Sequence, residues 1–255
     1  MKMITFKAYL KKEIMESKRQ YKYIILAVGI IAFAILDPVM LKLLPKILEN
    51  QLQGQGDLNL LIVSTPKAAI NNYIKSLFQI GSLFITFSFA STLNEEINEE
   101  KLVFPYSKGS KPIGIVLAKI IHNTMVVTIL TFIGFMTCSY YAGILLPGEK
   151  VPLSGVMNSV ILMSVYYFFS IALVTFFSSF VKKAVIAGFI TVMITFVSAA
   201  FVNLDAIGRF LPYKLVEGAN SFTLKGYSDT IAVLIICSLL FITATIFNMN
   251  KIEVI

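Results

Sequence analysis

Few residues of this sequence have the types and spacing that chemistry requires. The densest set of ionisable groups is four glutamates, Glu95, Glu96, Glu99 and Glu100, followed by the only histidine, His122. A glutamate–histidine protease needs a second histidine, and a catalytic zinc site needs three protein ligands. One histidine and two separated cysteines cannot supply either set. The sequence therefore predicts no catalytic residue and no metal site.

Nucleotide and acyl-transfer chemistry are also disfavoured. The chain contains neither G-x-x-x-x-G-K-[ST] nor G-x-S-x-G. The first pattern provides backbone N–H groups that hold phosphates, and the second presents a nucleophilic serine. We therefore expect no cofactor bound by this chain and no enzymatic activity of its own.

The composition is that of a protein whose solvent is lipid. Of its 255 residues, 57% are hydrophobic and only 14% are charged, and the mean hydropathy is +0.81. Soluble domains are about 45–50% apolar, with about a quarter of their residues charged. The net charge of +8 then reflects membrane orientation and attraction to anionic headgroups. No nucleic-acid partner is expected.

Six stretches are long and apolar enough to cross a bilayer, which takes about 20 residues each. They are Tyr23–Leu36 with a short extension, Tyr73–Leu93, Ile115–Leu146, Gly155–Val181, Ala184–Val202 and Ile231–Met249. Asp37-Pro38 interrupts the first, and the pair is interpreted as a helix boundary because proline disfavours helical geometry in the preceding residue. The predicted fold class is all-α, a polytopic membrane protein with six transmembrane helices in a single domain over residues 1–255.

Basic residues predict the orientation. With the N terminus in the cytoplasm, fourteen of the 22 Lys and Arg residues fall on the cytoplasmic side. Cytoplasmic loops of membrane proteins carry this excess. The predicted location is the cell (plasma) membrane, with both termini cytoplasmic.

Residues 1–22 form a candidate interfacial helix. Phe6, Leu10 and Ile14 recur at helical spacing, and lysines occupy the other face. This pattern is typical of an amphipathic helix at the inner membrane surface, with membrane lipids as its partner. A basic anchor that only sets topology is the alternative.

The cytoplasmic loop over residues 94–112 combines acidic, aromatic and basic groups. Glu95–Glu99 and Glu96–Glu100 are i,i+4 pairs of like charge, which oppose each other on a helix by a few tenths of a kcal/mol. A basic partner surface would neutralise them, so the loop is a candidate docking element; a solvated acidic helix end is the alternative. The later residues of this element are Phe104, Tyr106, Lys108 and Lys111.

Small residues follow one face of the fifth span. They are Ala184, Gly188, Thr191, Thr195 and Ser198. Alternating steps of four and three residues keep them on one side of a helix, where they let two membrane helices approach closely. The stripe predicts a packing seam, either within one chain or between two copies.

No Asp, Glu, Lys or Arg lies in the middle of any predicted span. Proton- or ion-coupled carriers place ionisable groups there. Lys119 and His122 lie near the cytoplasmic start of the third span, a position from which lysine can snorkel to the surface. His122 is expected to be a hydrogen-bonded structural residue.

The layout resembles the ABC type-2 permease family, the six-span subunits of many prokaryotic exporters. The resemblance covers most of the chain and begins with the basic N-terminal helix. Its other motifs are AILDPVMLKLLPKIL at Ala34–Leu48, QIGSLFITFSFASTLNEEINEE at Gln79–Glu100, SKGSKPIGIVLAK at Ser107–Lys119 and PYKL at Pro212–Leu215.

This resemblance implies partners and a mechanism. Two permease copies would pair as a homodimer or related heterodimer, above two cytoplasmic ABC ATPase subunits that bind ATP and magnesium. Residues 94–112 would be the coupling loop that docks the ATPase, and residues 1–22 would sit over it. The absence of a charged pocket favours export of a hydrophobic or amphipathic substrate, such as a peptide, toxin, lipid or drug. A stand-alone channel or secondary carrier, and a peptide-binding immunity or sensor protein, are the alternatives.

Overall fold

The computed structural model describes residues 2–51, 64–204 and 207–251, and these residues form helices and connecting turns without a β-strand. The α-helices of this part of the chain are α1 (Lys2–Arg19), α2 (Lys22–Gln51), α3 (Pro66–Ser76), α4 (Ser82–Asn98), α5 (Val103–Ser107), α6 (Pro112–Leu145), α7 (Leu153–Ser178), α8 (Ala184–Phe201), α9 (Tyr213–Ser221) and α10 (Ser228–Lys251). A π-helical turn, Leu77–Gly81, joins α3 to α4, and a 3₁₀ turn, Gly208–Phe210, precedes α9.

Within the described ranges, six helical stretches are long and apolar enough to cross a membrane. They are Lys22–Pro45, Pro66–Asn98, Pro112–Leu145, Leu153–Ser178, Ala184–Phe201 and Ser228–Lys251. The prediction of an all-helical, multi-pass membrane protein is confirmed at this level. The permease-like arrangement and the identity of the membrane stay predictions.

The predicted helix boundary at Asp37-Pro38 is wrong. α2 continues as one helix through both Pro38 and Pro45. Each proline removes one backbone hydrogen-bond donor from the helix. Ending the helix within lipid would leave more backbone groups without a hydrogen bond, and packing against neighbouring helices makes proline tolerable inside a membrane helix. Asp37 instead accepts a hydrogen bond from the Ser76 hydroxyl on α3, at 3.2 Å.

The second span begins before the predicted Tyr73. Thr65 caps α3, because its side chain accepts a hydrogen bond from the Ala68 amide at 3.3 Å, and Pro66 occupies the first turn. The π-helical turn that follows leaves the Leu77 carbonyl accessible to other donors. The buried Tyr167 hydroxyl donates to that carbonyl at 2.9 Å, which ties α7 to the second span.

α6 is long enough to project from a bilayer. Its 34 residues extend roughly 50 Å at 1.5 Å per residue, whereas a hydrocarbon core is about 30 Å thick. The Tyr23 hydroxyl, near the start of the first span, lies 2.8 Å from His122 Nε2 on α6. The part of α6 before His122 therefore extends about 15 Å past the start of the first span. The hydrogen bond agrees with the expected structural role of His122.

This projection helps to form a second layer beside the spans. We call it the basal layer: α1, the last turns of α4 from Thr92, α5, and α6 up to His122. Its apolar core includes Tyr9, Leu102 and Ile115, together with Met249 from the end of α10. The larger apolar core lies among the spans themselves and is centred on α7.

Candidate functional site

A salt-bridge network buried in the basal layer joins three helices. Lys119 Nζ on α6 lies 2.6 Å from Glu13 Oε1 on α1 and 3.1 Å from Glu96 Oε1 on α4. The same ammonium group donates to the Thr92 carbonyl at 3.1 Å. The three ionisable residues are each at most 3% exposed. Lys119 therefore does not snorkel to the surface, because its charge is neutralised inside the protein.

Glu13, the partner of Lys119 on α1, lies on a buried face of that helix. Thr5, Tyr9, Glu13 and Ser17 recur every four residues, so they share a face of the helix, and all four are buried. α6 approaches this face closely at Gly114, where an added Cβ would lie 3.0 Å from Thr5 Cβ. Burial raises the pKa of the Tyr9 hydroxyl above its usual value, and the carboxylate of Glu96 adds to the increase. α1 is thus seated on the bundle by a largely polar face.

Only part of the predicted apolar face of α1 is exposed, because two of its three residues pack against the protein. Phe6 and Leu10 are half-buried and pack against the apolar core of the basal layer. Ile14 is 47% exposed. A helix in this region is therefore observed, but two of its three predicted lipid-facing residues contact the protein. Contact between α1 and lipid stays a prediction.

Glu96 does not belong to a docking surface, and its assignment there is wrong. Helical phase turns Glu96 inward, where it forms an ion pair with Lys12 as well as with Lys119. Carboxylate oxygens of Glu13, Glu16 and Glu96 lie within 4.8 Å of one another. Because the two ammonium groups pair with them, this cluster is a salt-bridge network rather than a cation site. The like-charge repulsion that suggested a basic partner is thus partly relieved within the chain.

The other glutamates of the predicted set lie toward solvent. Glu95 is half-buried, whereas Glu99 and Glu100 lie beyond the last residue of α4 and are exposed. Glu99 forms a surface ion pair with Lys101, at 2.6 Å. Glu100 adopts a left-handed backbone conformation, φ 54°, where the chain leaves the helix. Both carboxylates are exposed at the surface, and Glu99 is already paired there with Lys101.

The aromatic residues predicted to lie in a turn form the short helix α5. Phe104 is 70% exposed, the Lys108 ammonium group lies 5.5 Å from its ring centroid, and Lys111 is also exposed. Tyr106 faces the opposite way: its hydroxyl is buried and has no hydrogen-bond partner among the described residues. Burial, together with the Glu96 carboxylate, raises the pKa of Tyr106 to about 12. α5 therefore presents Phe104 outward and anchors itself through Tyr106.

The end of α4 is also tied to the connection between α7 and α8. The Asn94 side-chain amide donates to the Val181 carbonyl. Asn98 donates to the Lys182 carbonyl at 2.6 Å and to Asn94 Oδ1 at 2.9 Å. A displacement of the α4–α5 segment would therefore strain contacts with the fourth and fifth spans as well as those with α1 and α6.

The small-residue stripe of α8 is a seam within one chain. Its members Gly188, Thr191, Thr195 and Ser198 are buried, and Ala184 is half-buried against the larger core. A Cβ added at Gly188 would lie 2.9 Å from the Phe87 ring and 3.4 Å from Ala90 Cβ, both on α4. The exposed side chains Val185 and Phe189 lie on the other side of α8. The alternative of a seam between two copies is therefore wrong, because these residues are already buried within the chain, at Gly188 against α4.

Reasoning from the sequence misses Glu13 and Lys12 as members of the site. A signal is nevertheless present: Lys119 is the only charged residue in the long apolar helix α6. An ionisable group in such a helix requires a partner. Glu13 is a candidate because it shares a helical face with Tyr9 and Ser17.

No protein-family model matches the chain, and no curated protein matches it. The class of protein is defined by the fold alone: the described residues form helices without a strand, and six of these helical stretches are long and apolar enough to cross a membrane. Its most distinctive polar feature is the buried network of Glu13, Glu96 and Lys119.

Proposed function

We propose that the chain is the membrane-spanning permease subunit of an ATP-binding-cassette exporter, with ATP hydrolysed by a separate cytoplasmic subunit. The observation that carries this proposal is the exposed α4–α5 segment, which is anchored to α1 and α6 through the Glu96–Lys119–Glu13 network. A surface that receives force from a partner needs such an anchor, because an isolated loop would yield without moving the spans.

The exposed residues of this segment suit a protein partner. Glu99, Glu100 and Phe104 point outward beside Lys108 and Lys111. Aromatic side chains rimmed by charges are typical of interaction surfaces. The ATPase would dock on this surface, with α1 beside it, and both termini would be cytoplasmic.

The cargo of the exporter is proposed to be hydrophobic or amphipathic. An apolar groove of about 350 Å³ lies between α8 and the segment before α9, and its lining includes Met193, Val197, Phe201 and Leu211. The lining residues that the structure describes carry no charge with which to select an ion or a highly polar solute. A second permease copy would complete the transport route.

Affinity purification tests the proposal. The tagged chain is solubilised from its native cell in mild detergent, and the proteins that accompany it are quantified by mass spectrometry. Recovery of an ABC ATPase in a fixed ratio to the chain would support the permease function. Absence of any ATPase, together with transport or conduction by the chain alone in liposomes, would refute it in favour of a carrier or channel.

A charge-reversal pair locates the docking surface. Glu99→Lys/Glu100→Lys should reduce ATPase recovery, because it inverts the charge beside Phe104. Glu149→Lys/Asp229→Lys makes the same change in net charge at exposed positions on other segments, and it should leave recovery unchanged. Equal losses with both variants would show that total charge, not this surface, governs the association.

A further inference from the structure

A cavity of about 620 Å³ lies at the junction of α1 and α2, outside the network described above. We call it the elbow cavity. Its lining includes the basic residues Lys18 and Arg19, the aromatic residues Tyr21 and Tyr23, and the apolar residue Ile24. Cationic, hydroxyl-bearing and apolar groups thus meet in one concave surface.

The turn between α1 and α2 and a contact with α6 shape this cavity. α1 ends at Arg19 and α2 begins at Lys22, and between them Tyr21 adopts a left-handed conformation with φ 55°. The Tyr23 hydroxyl is held 2.8 Å from His122 Nε2 on α6. Because one wall is anchored to α6, the cavity is a feature of the packed fold and not of a free helix end.

The cations of the elbow cavity have no salt-bridge partner in the part of the chain that the structure describes. Lys18 and Arg19 are exposed, and neither forms a salt bridge with a residue that the structure describes. The neighbouring carboxylate, Glu16, is engaged instead by Lys12 at 3.8 Å and by the Gln20 amide at 3.3 Å. Two positive charges are therefore available to an anionic ligand.

The position of the cavity indicates the source of that ligand. The first candidate span begins at Lys22, directly after the elbow, and insertion of this span in a bilayer would place the cavity at the level of the lipid headgroups. Ile24, Ile25 and Val28 are exposed and continue from the cavity along α2. A phosphate at the bases and an acyl chain along α2 would satisfy both parts of this surface.

We propose that the elbow cavity is a binding site for an anionic phospholipid. Lys18 and Arg19 bind its phosphate, the two tyrosines contact the headgroup, and the apolar face of α2 receives an acyl chain. The proposal depends on the chain spanning a membrane but not on the ATPase. Its test uses the purified chain alone, so it can fail while the permease function stands, and the reverse also holds.

Native mass spectrometry of the detergent-solubilised chain measures this binding. Phosphatidylglycerol is the probe, and phosphatidylcholine and inorganic phosphate are the comparisons. We expect phosphatidylglycerol to remain bound at lipid concentrations where the other two do not. Equal retention of phosphatidylcholine, or equal binding of inorganic phosphate, would overturn the assignment to an anionic lipid.

Matched double variants locate the site. Lys18→Gln/Arg19→Gln should weaken phosphatidylglycerol binding by about 30-fold, the factor that two basic contacts near a membrane surface provide. Lys182→Gln/Lys183→Gln makes the same change in charge at the exposed α7–α8 connection and should weaken it less than threefold. Equal weakening by both variants, or by neither, would refute a site at the elbow.

A photoreactive phosphatidylglycerol provides a measurement on the unmodified chain, which does not depend on how a variant folds. Crosslinks mapped by peptide mass spectrometry should concentrate in residues 15–28. Crosslinks spread evenly over all basic segments would contradict the proposal.

Discussion

Lys119→Met is the most direct perturbation of the buried network. Methionine keeps much of the apolar stem of lysine but removes the ammonium group, which lies 2.6 Å from Glu13 Oε1 and 3.1 Å from Glu96 Oε1. Lys12 would still pair with Glu96. Glu13, which is 3% exposed, would be left as an unpaired buried carboxylate. Removing one partner of a buried ion pair costs about 3–5 kcal/mol, and we expect a loss of stability in this range.

The assay is equilibrium unfolding in mixed micelles of mild detergent and dodecyl sulfate, followed by circular dichroism because the chain has no tryptophan. Lys119→Met/Glu13→Gln removes the orphaned charge together with its partner and should recover most of the lost free energy. Lys75→Met is the matched control, since Lys75 is exposed on α3, and its effect should stay within about 0.5 kcal/mol.

Two results would refute this reasoning. If Lys119→Met and Lys75→Met unfold at the same denaturant fraction, the network contributes nothing to the folded state. If the loss of unfolding free energy in Lys119→Met/Glu13→Gln equals the sum of the losses in Lys119→Met and Glu13→Gln alone, Glu13 and Lys119 are not energetically coupled.

Three further predictions concern contacts between helices. Gly188→Leu should destabilise the chain by about 1–3 kcal/mol, because a side chain as large as leucine would have to displace the Phe87 ring. Val185→Leu on the exposed face should have little effect, and micellar unfolding measures both variants. In a background without native cysteines, Ala90→Cys/Gly188→Cys should form a disulfide within one chain. On a non-reducing gel the oxidised protein should migrate faster than the reduced protein, with no band at the mass of a dimer. A dimer band would contradict the intramolecular seam. Tyr23→Phe should cost about 1 kcal/mol by the same unfolding assay, because it removes the hydroxyl bonded to the imidazole; no change would mean that this bond is not formed.

The sequence alone predicts the six spans and the helical N-terminal segment. Both depend on local properties: the length of an apolar run and the spacing of residues along one helix. The end of the first span is predicted wrongly because Asp37-Pro38 is a boundary signal in water. In a membrane, packing against neighbouring helices outweighs that local preference.

The candidate site depends on contacts between residues that are distant in sequence. The four glutamates look alike in a linear reading, but the phase of α4 against α1 and α6 turns Glu96 inward and leaves Glu99 and Glu100 exposed. Similarly, the spacing of small residues predicts a seam on α8 but not which helix covers it. Only the packed structure shows that α4 does so within the same chain.

The sequence by itself determined the local structure: helices whose length and apolar composition suit a lipid bilayer. What only the tertiary structure decided is how those helices meet. Glu13 finds its partner 106 positions along the chain, in Lys119. No periodicity encodes such a pairing, because it results from the relative rotation and depth of two helices, which the packing of the whole bundle determines.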